Sequence, residues 1–326
     1  MGTQSPTASK WLPALRRWSF LLCLSTAVII GMTLPQWFIG VGDFKFTRLF
    51  MPLLQLIMFC MGTTLSVQDF ARVARRPGAV IAGIVCQFTI MPFVGFALAR
   101  SSGLPPEIAA GVILVGSVPS GLASTVMVYI ARADVALSVT LTAVTSLLAP
   151  IVTPFMMHLL AGEMVTIVAT DLMWDLTKMT VIPALTGLAW HHAIRDRAQW
   201  LSRMIPYVSI AGIIVMTLLT IAVGRDNLLK VGMQLVLICF LHSGTGYLLG
   251  YVVCRCLRMD KTTCRTIAFE VGMQNSGMAS AVAATLAKVH TLGLAPIVFG
   301  PVMNLTASTL ANWWRARPLK EATKCH

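Results

Sequence analysis

Charge is what this chain of 326 residues has least of: 11% is Asp, Glu, Lys or Arg, against 56% apolar residues and a mean hydropathy of +0.78. So little charge excludes a water-soluble globular protein and describes a chain dissolved largely in hydrocarbon. No linker rich in Ser, Gly or Pro divides it. The eight cysteines show no CxxC spacing, only the close pair in "CRC" at 254 to 256, which excludes a disulfide framework or a zinc site. Acids are scarcer than bases, twelve against 25, for a formal charge of +13. The Lys and Arg lie in short tracts between apolar segments and form no continuous face, so no nucleic-acid partner is indicated. Nor is there a nucleophile with a matched base, or a metal cluster, and the chain does not read as an enzyme.

What is present is a succession of apolar segments. At about 20 residues per crossing, the chain has room for ten transmembrane helices and no sizeable soluble domain. Hydropathy places them near 18–39, 48–67, 78–100, 107–131, 134–161, 169–191, 204–224, 228–254, 262–287 and 291–313. The first follows Lys10, Arg16 and Arg17 but runs to full span length, so it reads as a helix and not a cleavable signal peptide. With the N-terminus cytoplasmic, eighteen of the 25 basic residues fall inside. Both termini are then expected in the cytoplasm, which requires an even number of spans. The basic N-terminal flank suits a bacterial inner membrane.

Two short stretches match across the chain. Ser120-Gly121-Leu122-Ala123-Ser124 and Ser276-Gly277-Met278-Ala279-Ser280 agree at four of five positions, 156 residues apart. Each falls in the next-to-last span of a five-span half, so a duplication would set the second half upside down in the membrane. Chance recurrence of small residues in packed membrane helices is the alternative. Pro119 and Gly121 in one stretch, and Gly272 and Gly277 in the other, weaken the helix at mid-span. Unwound backbone at that depth is tolerated only against protein or a watery cavity. Glu270 is the one acid well inside an apolar span. It reads as a cation ligand, a proton carrier or a structural partner of Arg265. Hard cations take oxygen ligands, and the amides and hydroxyls around Glu270 supply them.

The stretches "RTIAFEVGMQNSGMA", "QFTIMP" at 87 to 92 and "GSVPSGLASTVMVYIARADVALSVTLTAVTSLLAP" resemble the bile acid:sodium symporter family over nearly the whole chain. The resemblance implies ten helices in two inverted repeats, 1–163 and 164–326. A panel domain of spans 1, 2, 6 and 7 would rock against a core of spans 3–5 and 8–10 holding two crossed broken helices. It implies two sodium ions. The first site would use Ser124, Thr125, Ser138, Thr142 and Glu270, and the second Gln87, Glu270, Gln274 and the carbonyls of Val271 and Met273. Where the family usually has Asn, this chain has Thr125, a shorter oxygen donor. Substrate contacts would come from Asn275, Asn304 and the backbone of Ser120, Gly121 and Leu122. Met303 stands where relatives often have His. The function implied is sodium-coupled symport of an organic anion, bile acid-like or a small carboxylate such as pantothenate or pantoate.

The alternative is a proton-coupled carrier or effluxer on the same ten-helix plan, such as the arsenite exporters. Those carry a cysteine in the first broken helix, where this chain has Ser120. The expected partners are a small organic anion and the lipid bilayer, and nothing marks a protein partner. His242 reads either as a proton relay or as a ring bonded to a nearby Ser or carbonyl. Asn304 could equally make a helix-to-helix hydrogen bond. Asp171, Asp175 and Lys178 share a helix face and read as an ion cluster. The nineteen methionines read as adaptable packing.

Overall fold

The computed structural model describes residue 23 and residues 25–42, 44–64, 76–194 and 199–317. Helix α1 covers 25–33. A two-residue hairpin follows, β1 (Gly40–Val41) paired with β2 (Phe44–Lys45), a small departure from the all-helical expectation. Then come α2 (Phe50–Thr64), α3 (Pro77–Ser102), α4 (Pro106–Ser117), α5 (Ala123–Ile130) and α6 (Val135–Ala161). Next, α7 (Ala169–Leu176) runs through a π turn at Thr177–Val181 into α8 (Ile182–Ile194). The chain ends with α9 (Gln199–Cys256), α10 (Lys261–Gly272), α11 (Ser276–Thr285) and α12 (Leu294–Arg315). Among the described residues, five stretches are long and apolar enough to cross a membrane: Phe46–Thr63, Pro77–Ser102, Val135–Ala161, Ile214–Cys256 and Leu294–Arg315. This is an all-α, multi-pass membrane protein.

Local chemistry sets the helix ends. Pro77 and Pro106 occupy first turns, where a missing amide hydrogen costs nothing, and Gly103 closes α3 in the left-handed region at φ 66°. Asp134 and Asp260 cap α6 and α10 by accepting the amides of Leu137 (3.0 Å) and Thr263 (2.9 Å). The Asp134 amide also donates to Thr266 Oγ1 (2.9 Å), which ties the start of α6 to α10. Arg76 pairs with the Asp134 carboxylate at 3.2 Å.

Two expected spans are broken where the sequence places Pro and Gly. The segment Val118–Leu122 separates α4 from α5, and Met273–Asn275 separates α10 from α11. The helices α5 and α11 then end alike. Ala131, Arg132 and Ala133 donate their amides to the carbonyls of Met127, Tyr129 and Val128; Leu286, Ala287 and Lys288 donate to Val282, Ala284 and Ala283. Arg132 and Ala287, side-chain-bearing residues in the glycine-favoured region, have φ of 54° and 55°.

The expected division between spans 204–224 and 228–254 is absent. Helix α9 is continuous over 58 residues, about 87 Å at 1.5 Å per residue, nearly three times the hydrocarbon thickness. Two crossings fit within it only if its axis reverses between them, since a straight helix crosses once. Nothing in "AVGRDNLLKV" forces a stop: it holds one glycine and no proline. Near the middle of α9, Arg225 donates to the Met32 carbonyl (2.8 Å), Asn227 to that of His290 (2.7 Å) and Gln234 to that of Ser102. The part before this region packs Gly212 on Ile57, and the part after it packs Gly246 on Met91 and Gly272.

Close backbone approach holds the interior together. A Cβ at Gly272 would overlap the Tyr247 ring, and one at Gly62 would overlap the Ala184 carbonyl of α8. Replacing Gly272 by Ala is expected to cost about 1–3 kcal/mol through overpacking, read as a lowered melting temperature in detergent. A second prediction concerns Asp260. Burial works against its carboxylate, but the Thr263 hydroxyl, the Thr263 and Thr262 amides and the Arg76 charge outweigh it and hold the carboxyl below the usual Asp range. A depressed folded value stabilises the protein above the ordinary Asp range, and that contribution is lost as pH falls through the lower, folded value. Asp260→Ala is expected to cost about 1 kcal/mol at neutral pH and to flatten the acid limb of the stability curve.

Candidate functional site

The two unwound segments cross and pair with each other. Gly121 N donates to Met273 O (3.3 Å) and Asn275 N to Pro119 O (2.9 Å), an antiparallel bridge centred on Ser120 and Gln274. The segments approach closely here: a Cβ at Gly121 would lie 3.2 Å from the Gln274 carbonyl oxygen, a tight contact. Side chains satisfy three of the carbonyls beside the breaks. Ser117 O receives Thr153 Oγ1 (2.7 Å), Val118 O receives Gln87 Nε2 (3.0 Å) and Val271 O receives Gln274 Nε2 (2.6 Å). Buried backbone polar groups require such partners.

Glu270 stands two residues before the end of α10 and is 2% exposed. Its Oε1 accepts Ser124 Oγ (2.6 Å) and Ser138 Oγ (2.5 Å); its Oε2 accepts Ser120 Oγ (2.6 Å) and Thr142 Oγ1 (2.9 Å). Thr125 Oγ1 lies 3.0 Å from Ser138 Oγ. The Ser124 hydroxyl also lies 2.8 Å from the Gly121 carbonyl, so it stands between that oxygen and the carboxylate. The structure therefore gathers Ser124, Thr125, Ser138, Thr142 and Glu270 at one point. It adds the Ser120 hydroxyl, of which the sequence reading had used only the backbone. The signal available was the spacing: in the segment after Pro119, Ser120 stands four residues before Ser124.

The second set is built from amides. Gln87, on α3, donates through Nε2 to Gln274 Oε1 (2.7 Å) as well as to Val118 O. Gln274 Nε2 is fixed on Val271 O, so its Oε1 must face Gln87. Main-chain carbonyls at both ends thus determine which way each amide points, and Gln87 Oε1 is left buried without a partner among the described residues. The carbonyls of Val271 and Met273 border this group, each already accepting one hydrogen bond.

Of the residues expected to meet substrate, Asn275 caps α11 by accepting Met278 N (3.0 Å) and is half-buried. Leu122 is exposed and gives α5 no side-chain cap. Asn304 donates to Gly300 O of its own helix (2.9 Å), not to a neighbouring helix. His242 is bonded through Nε2 to the Met91 carbonyl (3.0 Å) and stands edge to face with Phe299. The cluster on α7 reduces to a Lys178–Asp175 pair at 2.9 Å, with Lys178 also over the Trp174 ring. Arg265 does not pair with Glu270: its guanidinium donates to Trp314 O (3.3 Å) and Arg317 O (2.9 Å), closing the end of α12.

Comparison with known proteins fixes the family. The model of the sodium bile acid symporter family matches residues 51–232. The chain belongs to that family. It is a membrane transporter and not an enzyme. A Bacillus subtilis protein named an uncharacterized sodium-dependent transporter, YocS, is 37% identical over 296 residues, 90% of this chain and 89% of the relative. The chloroplastic probable sodium/metabolite cotransporter BASS1 of Arabidopsis thaliana is 34% identical over 270 residues, 82% of this chain and 67% of its own. The human ileal sodium/bile acid cotransporter is 30% identical over 236 residues, 71% and 67% of the two chains.

Arg265→Ala is expected to lower the melting temperature, since hydrogen bonds from a charged donor contribute about 1.5–3 kcal/mol. It should leave the sodium half-saturation of uptake unchanged, whereas a pairing of Arg265 with Glu270 would lower it, because a competing positive charge would be removed.

Proposed function

We propose that the protein is a secondary active transporter that moves a small organic anion together with sodium by alternating access. The observation that carries this reading is the crossing of two broken helices beside a buried carboxylate, with oxygen ligands gathered around both. Hydroxyls and carbonyls suit a hard monovalent cation, and Glu270 supplies the charge that balances it. The hydroxyl set and the amide set are the candidates for the two ions that the resemblance implies. The anion, bile acid-like or a small carboxylate, meets the N-terminal ends of α5 and α11, where backbone amides point outward. Leu122, which leaves α5 uncapped, and Asn275 stand at those ends.

Two five-span inverted repeats account for the crossing, and the matched hydrogen bonds that close α5 and α11 support them. In this reading spans 3–5 and 8–10 form the core and spans 1, 2, 6 and 7 the panel. The membrane is a bacterial inner membrane, with both termini cytoplasmic. Sodium entering from outside satisfies the crossing, the anion binds beside it, and the core rocks to release both inward. Each sodium charge driven through 100 mV contributes about 2.3 kcal/mol. The proton-coupled alternative would use Glu270 itself as the carrier, and a pH gradient in place of the sodium gradient separates the two readings.

The test is uptake into proteoliposomes of labelled taurocholate, pantothenate, pantoate and pyruvate, with an inward sodium gradient or with choline in its place. Sodium-dependent uptake of one of these, abolished in Glu270→Ala, is the expected outcome. Uptake that ignores sodium and follows a pH gradient would overturn the reading.

A further inference from the structure

At one end of the bundle the basic residues are left without acids. Helix α9 finishes at Cys256, α10 starts at Lys261 and α12 finishes at Arg315. Side chains hold these ends together. The Tyr251 and Trp314 rings lie 5.7 Å apart, and Arg265 of α10 stands 5.5 Å from the Trp314 ring while donating to the carbonyls of Trp314 and Arg317. Five exposed cations belong to this corner: Arg255, Arg258, Lys261, Arg315 and Arg317. Among the described residues none of the five pairs with a carboxylate, the ion pairs present being those of Arg76, Arg100, Lys178, Arg225 and Lys288. The one acid in the corner, Asp260, is engaged by the Thr263 amide and hydroxyl at 2.9 and 2.6 Å. Like charges gathered in this way make a positive field that draws anions from outside the chain.

The surroundings select the anion. Trp313 and Leu257 are exposed beside the cations, at 48% and 56%, and the Arg317 guanidinium stands 4.2 Å from the centre of the Trp313 ring. A soluble phosphate would leave that apolar surface uncovered. A phospholipid meets both, with its phosphodiester on the guanidinium groups and its acyl chains on the ring and the leucine. Tryptophan and arginine at the end of a membrane helix lie at headgroup depth, where one part of the side chain is in lipid and the other in water. The backbone adds a second signal. Arg258 has φ of 58°, in the left-handed region where glycine would fold at lower cost, so a long cation is kept at a strained position on the turn. The Arg255 guanidinium is drawn onto the same turn by its hydrogen bond to the Met259 carbonyl (2.8 Å).

We infer that Arg255, Arg258, Lys261, Arg315 and Arg317 form a binding site for the headgroup of an anionic phospholipid, whose acyl chains lie against Trp313 and Leu257. The site is separate from the crossing and does not depend on which ion or anion is carried. Arg265 ties it to α10, the helix that bears Glu270, so a bound headgroup braces the end of that helix.

The test is thermal unfolding of the purified full-length protein in a neutral detergent, titrated with phosphatidylglycerol or with phosphatidylcholine. A saturable rise in melting temperature with phosphatidylglycerol alone is the expected result. Each cation facing an anionic lipid contributes about fivefold in affinity, so Arg255→Gln, Arg258→Gln and Lys261→Gln combined should raise the half-saturating lipid roughly a hundredfold. The same loss of three exposed charges at Lys45, Arg48 and Lys230 should leave it unchanged. Should the combined variant fail to fold, Arg258→Gly decides: glycine suits the left-handed turn, so the melting temperature without lipid is kept or raised while the half-saturating lipid rises about fivefold. Equal stabilisation by phosphatidylcholine, undiminished affinity in the corner variants, or an equal loss on removing the distant charges would overturn the inference. A shift reproduced by glycerol 3-phosphate would also overturn it, and the corner would then be a site for soluble phosphate.

Discussion

A carboxylate placed inside a membrane has to be met by donors or by a cation, and the arrangement around Glu270 follows from that requirement. Its four hydroxyl partners come from two places in the chain, the unwound segment with the first turn of α5, and helix α6. One side chain thus pins α10 to both. Losing any one of these contacts leaves a buried charge short of a donor, a larger penalty than loss of an ordinary hydrogen bond. The ties between Asp134 and Thr266, one turn earlier on α10, and between Arg76 and Asp134 secure the same junction from its end.

The crossing shows how irregular backbone survives at depth. Breaking a helix exposes carbonyls that lipid cannot satisfy. Here each broken segment supplies the other with one amide, and Thr153, Gln87 and Gln274 satisfy three more carbonyls beside the breaks. The breaks are therefore mutual. Neither segment could unwind alone without stranding polar groups, which explains why Pro119 and Gly121 in one half need Gly272 and Asn275 in the other.

Much of this was legible in the sequence, for identifiable reasons. Pro119, Gly121 and Gly272 announce breaks because their backbone chemistry acts locally. Glu270 stands out because an acid inside an apolar span has so few physical excuses. The helix over 199–256 was not legible, because hydropathy falls at Arg225, Asp226 and Asn227 whether or not the backbone stays helical. Only the lack of a breaker there hinted at continuity. The partner of Arg265 was equally hidden, since a guanidinium reaching the carbonyls of residues 314 and 317 leaves no trace in local pattern. Ser120 was read for its backbone alone, because the direction its side chain takes depends on the crossing.

The missing loop inside α9 has a mechanical consequence. A long linker between two membrane crossings lets each move without disturbing the other, because its torsions absorb the difference. Here helical backbone leads directly from one crossing into the next, so the reversal between them is confined to a short corner around Arg225 and Asn227. The Met32, His290 and Ser102 carbonyls hold that corner to three other parts of the chain. Any swing of one crossing against the other then has its pivot there, at the membrane surface and away from the buried carboxylate.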